Sequence, residues 1–430
     1  MSNSFNTISI IGLGYIGLPT AAVFASRKVK VIGVDVNPIA VDTINQGRIH
    51  IVEPDLDMLV HTAVTEGYLR ATTTPEPADA FLIAVPTPFK EGPTGPHEPD
   101  LSYIEASCKS IAPVLKKGDL VILESTSPVG ATEQVAMWLA DARQDLSFPQ
   151  THGDESDIRV AHCPERVLPG KVLNELVQND RVIGGLTSKC SEAAANLYKT
   201  FVRGECVITN ARTAEMCKLT ENSFRDVNIA FANELSVICN KIGIDVWELI
   251  SLANRHPRVK ILQPGPGVGG HCIAVDPWFI VSAAPEQAKL IHTARLVNDE
   301  KPIWVLEQFQ KSVMNYLVTH PEKCAKEITV ACFGLAFKPD IDDMRESPSM
   351  AIAESVARIH AGEVLIVEPN IGVLPTSLRG RAKLVSMQDA FAQANIVLLL
   401  VAHNSFKSIP KVAWNTLNII DTCGLTCVTS

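Results

Sequence analysis

Several features are scarce or missing in this sequence. Its 430 residues include eleven cysteines, but they are scattered, odd in number and form no CxxC pair, a pattern typical of reduced thiols in a cytoplasmic protein. No stretch is long and apolar enough to predict a membrane span. The apolar start, residues 10–25, follows no Lys or Arg and is interrupted by glycines and Pro19, which argues against a signal peptide.

Positive charge is also in short supply. Lys and Arg number 38 against 47 Asp and Glu, for a net charge of −9, which argues against a general nucleic-acid binder. With 46% hydrophobic and 20% charged residues the composition is that of a globular protein. The length predicts two or three domains.

The N-terminal residues match a dinucleotide-binding βαβ unit. A strand at 7–11 leads into Gly12-Leu-Gly14-Tyr-Ile-Gly17, followed by a helix at 19–26 and a strand at 29–34 that ends at Asp35. Gly12 permits the tight turn, Gly14 lets a pyrophosphate approach, and Gly17 lets the helix pack on the strand. Asp35 predicts NAD over NADP, because an acid accepts hydrogen bonds from ribose hydroxyls and repels a 2′-phosphate.

Two further strands, 80–85 and 120–124, each end in a polar turn. In an open parallel sheet a ligand lies beyond the carboxyl ends of the strands. The cofactor candidates on these turns are Thr87, Ser125, Thr126 and Thr132. We expect the first domain to end near residue 210.

The longest helical pattern covers residues 211–243, with Gly243 as its C-cap. Its apolar face consists of Phe224, Val227, Phe231, Leu235 and Ile238. A second stripe contains Glu215, Lys218, Asn222 and Arg225, and such a polar stripe is usually a solvated helix face. Pairing of this helix between two chains would give a dimer.

A glycine-rich segment, residues 264–277, organises the rest of the chain. It contains Gly265, Gly267, Gly269 and Gly270, then Cys272 and, four residues later, Asp276. Such a backbone lets a ligand approach closely, and a thiol there suits covalent catalysis. The alternative is a tight turn with a small buried Cys.

The last third resumes an α/β pattern. We expect strands at 328–335, 364–368, 396–401 and 417–421, and helices at 301–317 and 348–360, the first of which joins the two halves. The predicted fold is α/β, with two doubly wound Rossmann-like domains joined by a central helical region. The expected division is an NAD-binding domain at 1–210, a central helical, dimerisation and catalytic-loop region at 211–318, and a second Rossmann-like domain at 319–430, of a kind that can hold the nucleotide part of a substrate.

Four blocks in this order carry a family resemblance over nearly the whole chain. They read Gly12-Leu-Gly-Tyr-Ile-Gly-Leu-Pro, Glu215-Met-Cys-Lys-Leu-Thr-Glu-Asn-Ser-Phe-Arg-Asp, Gly269-Gly-His-Cys and Gly334-Leu-Ala-Phe-Lys-Pro. The chain thereby resembles the nucleotide-sugar 6-dehydrogenases, the family of UDP-glucose and GDP-mannose dehydrogenases. The resemblance implies an NAD-dependent enzyme that oxidises a primary alcohol at C6 of a UDP-sugar twice, by way of a thiohemiacetal and a thioester.

The resemblance also implies roles for individual residues. Cys272 stands at the nucleophile position, Lys218, Asn222 and Asp276 stand at acid–base and oxyanion-stabilising positions, and Glu165 matches an acid linked to hydrolysis of the covalent intermediate. The positions for NAD are Gly12, Gly14, Tyr15, Ile16, Gly17, Asp35, Thr87, Thr126 and Thr132. The positions for the sugar nucleotide are Arg166, Val167, Lys218, Asn222, Arg225, His256, Arg258, Gly269, Phe337 and Lys338, and Arg345 resembles an arginine that reaches into the partner's site of a homodimer.

The chain departs from the family pattern at two positions. Many UDP-glucose enzymes of the family carry Lys before the loop aspartate, where this chain has Val275, and the C-terminal Asp-x-Arg or Asp-x-Lys pattern reads Asp421-Thr-Cys423. Val275 favours N-acetylated sugars over UDP-glucose. Among these sugars the whole-chain resemblance, and no single residue, implies UDP-N-acetyl-D-mannosamine as the substrate, with UDP-N-acetylglucosamine and UDP-glucose as alternatives. The acid product is expected to serve cell-surface polysaccharides such as enterobacterial common antigen.

Two other functions remain open on the residues alone. His162-Cys163 and His271-Cys272 raise the possibility of a zinc alcohol dehydrogenase, although no third ligand is spaced with them. A non-catalytic NAD sensor would use the same fold for binding. Product stoichiometry separates the three: two NADH per sugar, one NADH with chelator sensitivity, or none.

Overall fold

The computed structural model describes residues 5–51, 53–90, 97–167, 170–270, 272–414 and 417–426. The chain divides into two compact units, Met1–Glu221 and Asn222–Ser430, and each is described by itself.

The first unit is built on an eight-stranded sheet. Its strands are β1 (Thr7–Ile11), β2 (Lys30–Val34), β3 (Leu69–Thr72), β4 (Ala80–Ile83), β5 (Leu120–Leu123), β6 (Arg159–His162), β7 (Arg181–Gly185) and β8 (Cys206–Asn210). The order is β3-β2-β1-β4-β5-β6-β7-β8, and all neighbours are parallel except β6 and β7. The order reverses between β1 and β4, which puts a topological switch point at their carboxyl ends.

Helices cover both faces of this sheet. They are α1 (Gly17–Ser26), α2 (Pro38–Asn45), α3 (Leu56–Thr65), α4 (Ser102–Ile111), α5 (Ala131–Ala142), α6 (Pro149–His152), α7 (Val172–Gln178) and α8 (Ser188–Tyr198). Successive strand side chains point to opposite faces, so Ile10 joins a core with α1, α3, α7 and α8, whereas Ile11 joins a core with α4 and α5. The unit is therefore doubly wound.

Four helices lie between the two sheets in sequence. They are α9 (Ala211–Ile242), α10 (Val246–Ala253), α11 (Asp276–Ala283) and α12 (Lys289–Thr319). Gly243 ends α9 with a φ of 76°, as expected for a glycine C-cap. The predicted start of α12 at Lys301 is wrong, because Pro302 lies inside the helix. A proline inside a helix removes a backbone hydrogen bond, yet α12 begins at Lys289 because Ala294, Arg295 and Asn298 bury one face of it ahead of Pro302.

The second unit has a five-stranded, wholly parallel sheet. Its strands are β9 (Val330–Phe333), β10 (Val364–Val367), β11 (Lys383–Leu384), β12 (Ile396–Leu399) and β13 (Asn418–Asp421), in the order β11-β10-β9-β12-β13, and its helices are α13 (Pro348–Ile359), α14 (Met387–Gln393), α15 (Asn404–Lys407) and α16 (Lys411–Trp414). Cys332 packs with α12 and α13 on one face, and Phe333 packs with α14, α15 and Trp414 on the other.

The predicted fold class is confirmed: both sheets carry helices on two faces and a helical region joins them. Strands β3, β6, β7, β8 and β11 have no counterpart in the sequence prediction, and three of them, β3, β8 and β11, form sheet edges. Within the part of the chain that the structure describes, no helix is apolar over enough residues to cross a membrane.

A buried charge cluster joins β5, β7 and α8 in the first unit. Glu124, Glu165, Arg181 and Tyr198 are at most 6% exposed. Arg181 NH1 lies 2.8 Å from Glu165 Oε2 and 3.8 Å from Glu124 Oε1, and its guanidinium lies 4.8 Å from the ring centre of Tyr198. The Tyr198 hydroxyl donates to Glu124 Oε1 at 2.8 Å. Burial, and then the charge of Glu165, raise the pKa of Glu124 to about 7.

This pKa predicts how stability changes with pH. Glu124 titrates near 4.5 in an unfolded chain and near 7 in the fold, so the folded state binds its proton more tightly. The stabilisation is complete below pH 4.5 and is lost as the pH rises to 7. The shift corresponds to about 3 kcal/mol of unfolding free energy that the wild type loses over this pH range. Glu124→Gln has no carboxylate at this position and should not lose it. Urea unfolding of both proteins at pH 5 and pH 8 gives the difference in their free energies of unfolding. We expect Glu124→Gln to be more stable relative to the wild type at pH 8 than at pH 5. The same difference at both pH values contradicts the assignment.

Candidate functional site

The glycine turn after β1 has the geometry that its three glycines require. Gly12 has a φ of 93°, and a Cβ there would lie 2.6 Å from the carbonyl oxygen of Ala84. A Cβ on Gly17 would lie 1.8 Å from the carbonyl oxygen of Gly12, so the start of α1 packs directly on the turn. Around Gly14 a Cβ would meet nothing within 4 Å. The backbone of Gly14 is therefore open to a ligand at the start of α1, where unpaired N–H groups favour phosphate.

Asp35 lies at the carboxyl end of β2 beside this turn. Its two carboxylate oxygens accept the N–H groups of Leu13 and Asn37, each at 2.9 Å. The side chain is half-buried and is fixed by both bonds. A carboxylate in this place suits the hydroxyls of an adenosine ribose.

The polar turns after β4 and β5 differ in how open their side chains are. Thr87 and Thr126 are half-buried, and Oγ1 of Thr87 has no hydrogen-bond partner among the described residues. Ser125 is buried, and its hydroxyl donates to the carbonyl oxygen of Val85 at 2.6 Å. Thr132 is fully buried, and its hydroxyl donates to Glu215 at 2.6 Å. Thr126 therefore lies half-buried at a strand end, the Thr87 hydroxyl is buried with no partner among the described residues, and the Thr132 hydroxyl is bonded to Glu215 in the interior.

Glu215 does not belong to a solvated stripe as its helical spacing suggested. It is 1% exposed and accepts the N–H groups of Gly130 and Thr132 at 2.6 and 2.7 Å. Burial raises its pKa, and these hydrogen bonds oppose the rise. The carboxylate caps the start of α5, and the sequence alone carried no signal for this contact across 83 residues.

The loop after β6 carries the candidates Glu165, Arg166 and Val167. Glu165 Oε1 accepts the N–H of Arg166 at 2.7 Å, and Arg166 Nε donates to Glu221 at 3.1 Å. Val167 packs against the core of the sheet. Glu53, which sequence reasoning missed, accepts the N–H of Val172 at 2.8 Å and so holds the end of this loop.

In the second unit, the glycine-rich segment packs closely on the segment that follows β9. A Cβ on Gly269 would lie 2.3 Å from the carbonyl oxygen of Glu346 and 3.1 Å from Cβ of Phe337. A Cβ on Gly270, which has a φ of 86°, would lie 2.9 Å from the Phe337 ring. Only glycines allow this approach, and it brings the candidates Gly269 and Phe337 together.

Cys272 is exposed, which rules out the alternative of a small buried Cys. Its carbonyl oxygen accepts the N–H groups of Val275 and Asp276 at 3.1 and 2.8 Å, so the thiol lies on a turn closed by the start of α11. Asp276 is 2% exposed, and its carboxylate accepts a hydrogen bond from the side-chain amide of Asn222. The structure thus links three predicted residues, Cys272, Asp276 and Asn222. Half-buried Lys218 lies four residues before Asn222, one turn away on α9.

The other substrate candidates of this unit differ in position. Phe337 and Lys338 are half-buried directly after the β9 turn. Arg345 is exposed and pairs with Asp343, with NH2 2.7 Å from Oδ2. Three further substrate candidates, one of them on α9, are exposed side chains: His256, Arg258 and Arg225.

A buried pair at the carboxyl end of β10 supports the turn after β9. Glu368 accepts the N–H of Leu335 at 2.7 Å, and His403 lies 3.2 Å from the same carboxylate through Nε2. Nδ1 of His403 accepts the N–H of Asp340 at 2.9 Å, which leaves the ring proton on Nε2. Although burial raises the pKa of Glu368, the hydrogen bonds from His403 and Leu335 outweigh it and lower the pKa. The signal that identified Asp35, an acid ending a second strand, also applies to Glu368.

Two of the four residues behind the zinc hypothesis, His162 and Cys163, lie in the interior of the first unit. His162 and Cys163 are fully buried, and burial lowers the pKa of His162 to about 3 and raises that of Cys163 to about 12. His271 lies outside the described residues. Among the residues that were described, no group of three or more His, Cys, Asp and Glu side chains could hold a metal ion.

Asp421 has a structural contact of its own. Its carboxylate accepts the N–H groups of Cys423, Gly424 and Thr426 at 2.7–2.9 Å. Asp421, the aspartate of the family's Asp-x-Arg pattern, therefore shapes the turn after β13 in this chain, where Cys423 takes the place of the basic residue.

The glycine turn offers a matched pair of variants. Gly17→Ala should lower the free energy of unfolding by about 1–3 kcal/mol, because its Cβ collides with backbone. Gly14→Ala should leave stability nearly unchanged but weaken NAD binding by about tenfold, because its methyl group occupies the space open to phosphate. Urea unfolding and NAD titration of both variants test this. Equal NAD affinity of Gly14→Ala and wild type would contradict the binding position.

Family models match three successive parts of the chain. They are the UDP-glucose/GDP-mannose dehydrogenase family NAD binding domain at residues 6–202, its central domain at 212–300 and its UDP binding domain at 331–426. The glycine turn and Asp35 lie in the first part, and NAD is the cofactor that they fit. Cys272 lies in the second and Phe337 in the third.

Individual proteins give the same result over the whole length. The chain is 66% identical to a UDP-N-acetyl-D-mannosamine dehydrogenase of Yersinia pestis (98% of this chain, 99% of the other) and 65% identical to an NDP-N-acetyl-D-galactosaminuronic acid dehydrogenase of Ralstonia nicotianae (98% and 96%). A solved structure of a UDP-D-ManNAc dehydrogenase from Pyrococcus horikoshii superposes with a TM-score of 0.86 at 37% identity, over 97% of this chain and 96% of that one. The chain therefore belongs to the UDP-glucose/GDP-mannose dehydrogenase family of NAD-dependent nucleotide-sugar dehydrogenases.

Proposed function

We propose that this enzyme oxidises the C6 hydroxyl of UDP-N-acetyl-D-mannosamine to the carboxylate, UDP-N-acetyl-D-mannosaminuronate, for the synthesis of cell-surface polysaccharide. The observation that carries the chemistry is the exposed Cys272 on a turn closed by Asp276, whose carboxylate is bonded to Asn222. We also propose that residues 1–210 bind NAD, that 211–318 carry the catalytic loop, and that 319–430 bind the sugar nucleotide.

The reaction balances as one alcohol, two NAD⁺ and one water giving one carboxylate, two NADH and three protons. When bound at the glycine turn, NAD would supply the hydride acceptor for each of the two oxidations. The Cys272 thiolate adds to the intermediate aldehyde to give a thiohemiacetal, and loss of the second hydride leaves a thioester on the same sulfur. Water then cleaves the thioester and releases the thiol.

Lys218 and Asn222 act on the oxygen at C6. They lie one turn apart on α9, so an ammonium and an amide N–H can stabilise the same oxyanion. The hydrogen bond from Asn222 to Asp276 fixes the amide orientation and leaves its second N–H for the substrate. Lys218, or a water bound to Asp276, accepts the hydroxyl proton in the first step.

Glu165 directs the water that cleaves the thioester. Its carboxylate is held on one side by the N–H of Arg166 and on the other by the buried guanidinium of Arg181. A carboxylate so fixed suits a general base, because its orientation does not depend on the substrate. Arg166 and Val167 on the same loop contact the sugar nucleotide in this proposal.

The remaining binding residues hold the UDP part. Phe337 and Lys338 follow the β9 turn, at the carboxyl edge of the second sheet where ligands of doubly wound folds bind. Gly269 packs beside Phe337, which suits a nucleotide that approaches the loop backbone. Three exposed basic side chains complete the proposed set: Arg225, His256 and Arg258.

The sugar is the finer part of this proposal. Val275 offers no cation beside Asp276, which favours an N-acetyl group over the bare hydroxyl of UDP-glucose. The name of the Yersinia relative supports the manno epimer, while the Ralstonia relative, at nearly the same identity, supports a galacto sugar as the second candidate. UDP-N-acetylglucosamine and UDP-glucose are the remaining alternatives.

NADH release from four UDP-sugars at matched concentration tests the function. We expect two NADH per UDP-N-acetylmannosamine and a kcat/KM about ten- to a hundredfold above the gluco and galacto N-acetyl sugars, because one buried polar group left unpaired costs about 1–3 kcal/mol. Cys272→Ala should bind NAD normally but form no acid. A higher kcat/KM for UDP-glucose than for the N-acetyl sugars rejects the Val275 argument. Normal acid formation by Cys272→Ala rejects the thioester.

We further propose that the enzyme is a homodimer that pairs α9 with α9 of a second copy. Three side chains predicted as an apolar helix face, Phe224, Phe231 and Ile238, are 71%, 51% and 45% exposed. Burial of such a stripe against a second copy removes it from water. The ten described cysteines lie outside any disulfide, which suits the cytoplasm as the proposed compartment.

Arg345 offers a test of this assembly. If it reaches the partner's substrate, Arg345→Ala should be inactive yet still dimerise. Mixing it with Cys272→Ala should restore about a quarter of the wild-type sites, because half of the pairs are mixed and each mixed pair has one complete site. Activity of the mixture, with heterodimers verified by mass, is the measurement. Verified heterodimers without activity would place Arg345 in its own chain's site or outside any site.

A further inference from the structure

A strip of buried polar side chains joins α9 to α12 in the second unit. It consists of Asp226, Asn233 and Ser236 on α9 and of Arg295, Asn298 and Lys301 on α12. All six are at most 8% exposed. Buried polar groups cost free energy unless they are satisfied, so a strip of this length between two helices calls for an explanation beyond packing.

One end of the strip is the charged pair of Asp226 and Arg295. NH1 of Arg295 donates to Asp226 Oδ1 at 2.6 Å. Asn298 donates through Nδ2 to the same carboxylate oxygen at 2.8 Å and to the Asp226 carbonyl oxygen at 3.1 Å. Because an ionised carboxylate only accepts, Asn298 must turn its NH2 group towards Asp226 and its oxygen away from it.

The other end of the strip reaches the glycine-rich segment. Oδ1 of Asn298 accepts from Nδ2 of Asn233 at 2.9 Å, so Asn233 in turn must point its own oxygen outward. That oxygen accepts the N–H of Gly265 at 2.8 Å. The four groups form a directed series of hydrogen bonds from Gly265 through Asn233 and Asn298 to Asp226.

The direction of this series has a consequence. The negative charge of Asp226 sets the orientation of the Asn298 amide, which in turn sets that of the Asn233 amide. The Gly265 N–H therefore meets the oxygen of Asn233 and not its NH2 group. Gly265 opens the segment that bears Cys272, and Gly269 on the same segment is pressed against the Glu346 carbonyl oxygen. The loop is thus anchored at its start by a side chain and farther along by backbone.

We propose that Asp226, Asn298 and Asn233 are positioning residues that orient the glycine-rich loop and so the Cys272 thiol; this rests on the catalytic role proposed for Cys272. The proposal requires none of these three residues to contact the substrate. Asn298 has no hydrogen bond to the described residues of the loop and acts on the loop through Asn233, so a change at Asn298 separates an effect of the series from the loss of the direct contact.

Four variants test this series of hydrogen bonds, which we call the relay, in the full-length enzyme. Asn233→Ala removes the anchor, and Asn298→Ala removes only the group behind it. Ser236→Ala is the matched control, because Ser236 lies one turn beyond Asn233 in the same strip. Its hydroxyl accepts from Lys301 and donates to the Asn233 backbone carbonyl oxygen, and it has no hydrogen bond to the described residues of the loop. Asn298→Ser, which also lacks the amide but leaves a smaller cavity, accompanies Asn298→Ala in case the latter does not fold.

The first measurement is amide hydrogen exchange of Gly265, which does not depend on catalysis. We expect exchange about tenfold faster in both Asn233→Ala and the Asn298 variants, and unchanged in Ser236→Ala. Wild-type exchange of Gly265 in the folded Asn298 variants would overturn the relay, even if Asn233→Ala exchanges faster.

The second measurement is turnover with the sugar nucleotide. Misplacement of the thiol should lower kcat roughly ten- to a hundredfold in the Asn233 and Asn298 variants, with KM within about threefold of the wild type. Turnover equal to that of Ser236→Ala would overturn the positioning role. The two proposals fail separately: acid formation by Cys272→Ala refutes the thioester and leaves the exchange result intact, whereas slow exchange in the Asn298 variants refutes the relay and leaves the thioester intact.

Discussion

The close approach of the glycine-rich loop to the segment after β9 is the constraint on which the second unit depends. A Cβ at Gly269 would lie 2.3 Å from the Glu346 carbonyl oxygen, and a Cβ at Gly267 would lie 2.8 Å from Pro348. The same glycines that expose a backbone to ligand also permit this contact, so packing and function call for the same residue type. The loop is held on one side by these backbone contacts, and Cys272 farther along it is exposed.

Carboxylates that are buried or, in the case of Asp421, half-buried hold the loops of this protein in place. Glu53, Glu215, Glu368 and Asp421 each accept backbone N–H groups from a loop or helix start that is distant in sequence or belongs to a tight turn. A carboxylate accepts two or three such bonds and compensates the partial positive charge of a helix N-terminus. Loops bury little apolar surface, and these acids stabilise them through specific hydrogen bonds to the backbone.

Two buried acids show how different surroundings select different protonation. Burial and the neighbouring Glu165 raise the pKa of Glu124 to about 7, whereas hydrogen bonds from His403 and Leu335 lower the pKa of Glu368 despite burial. Both acids end a strand of a parallel sheet. Glu124 meets the Arg181 guanidinium only at 3.8 Å and shares it with Glu165, which explains why its charge is poorly compensated.

The sequence by itself determined the two doubly wound sheets, the dinucleotide turn with Asp35, the long α9 with its Gly243 cap, and the loop with Cys272. These features rest on local signals, namely glycine spacing, strand and helix periodicity and an acid at a strand end. Three outcomes were decided only by the tertiary structure. Glu215 is buried and caps α5 instead of facing solvent from α9, α12 continues through Pro302, and Asn233 anchors Gly265. Those outcomes depend on which side chains meet across 32 to 83 residues of chain, and helical spacing alone does not contain that information.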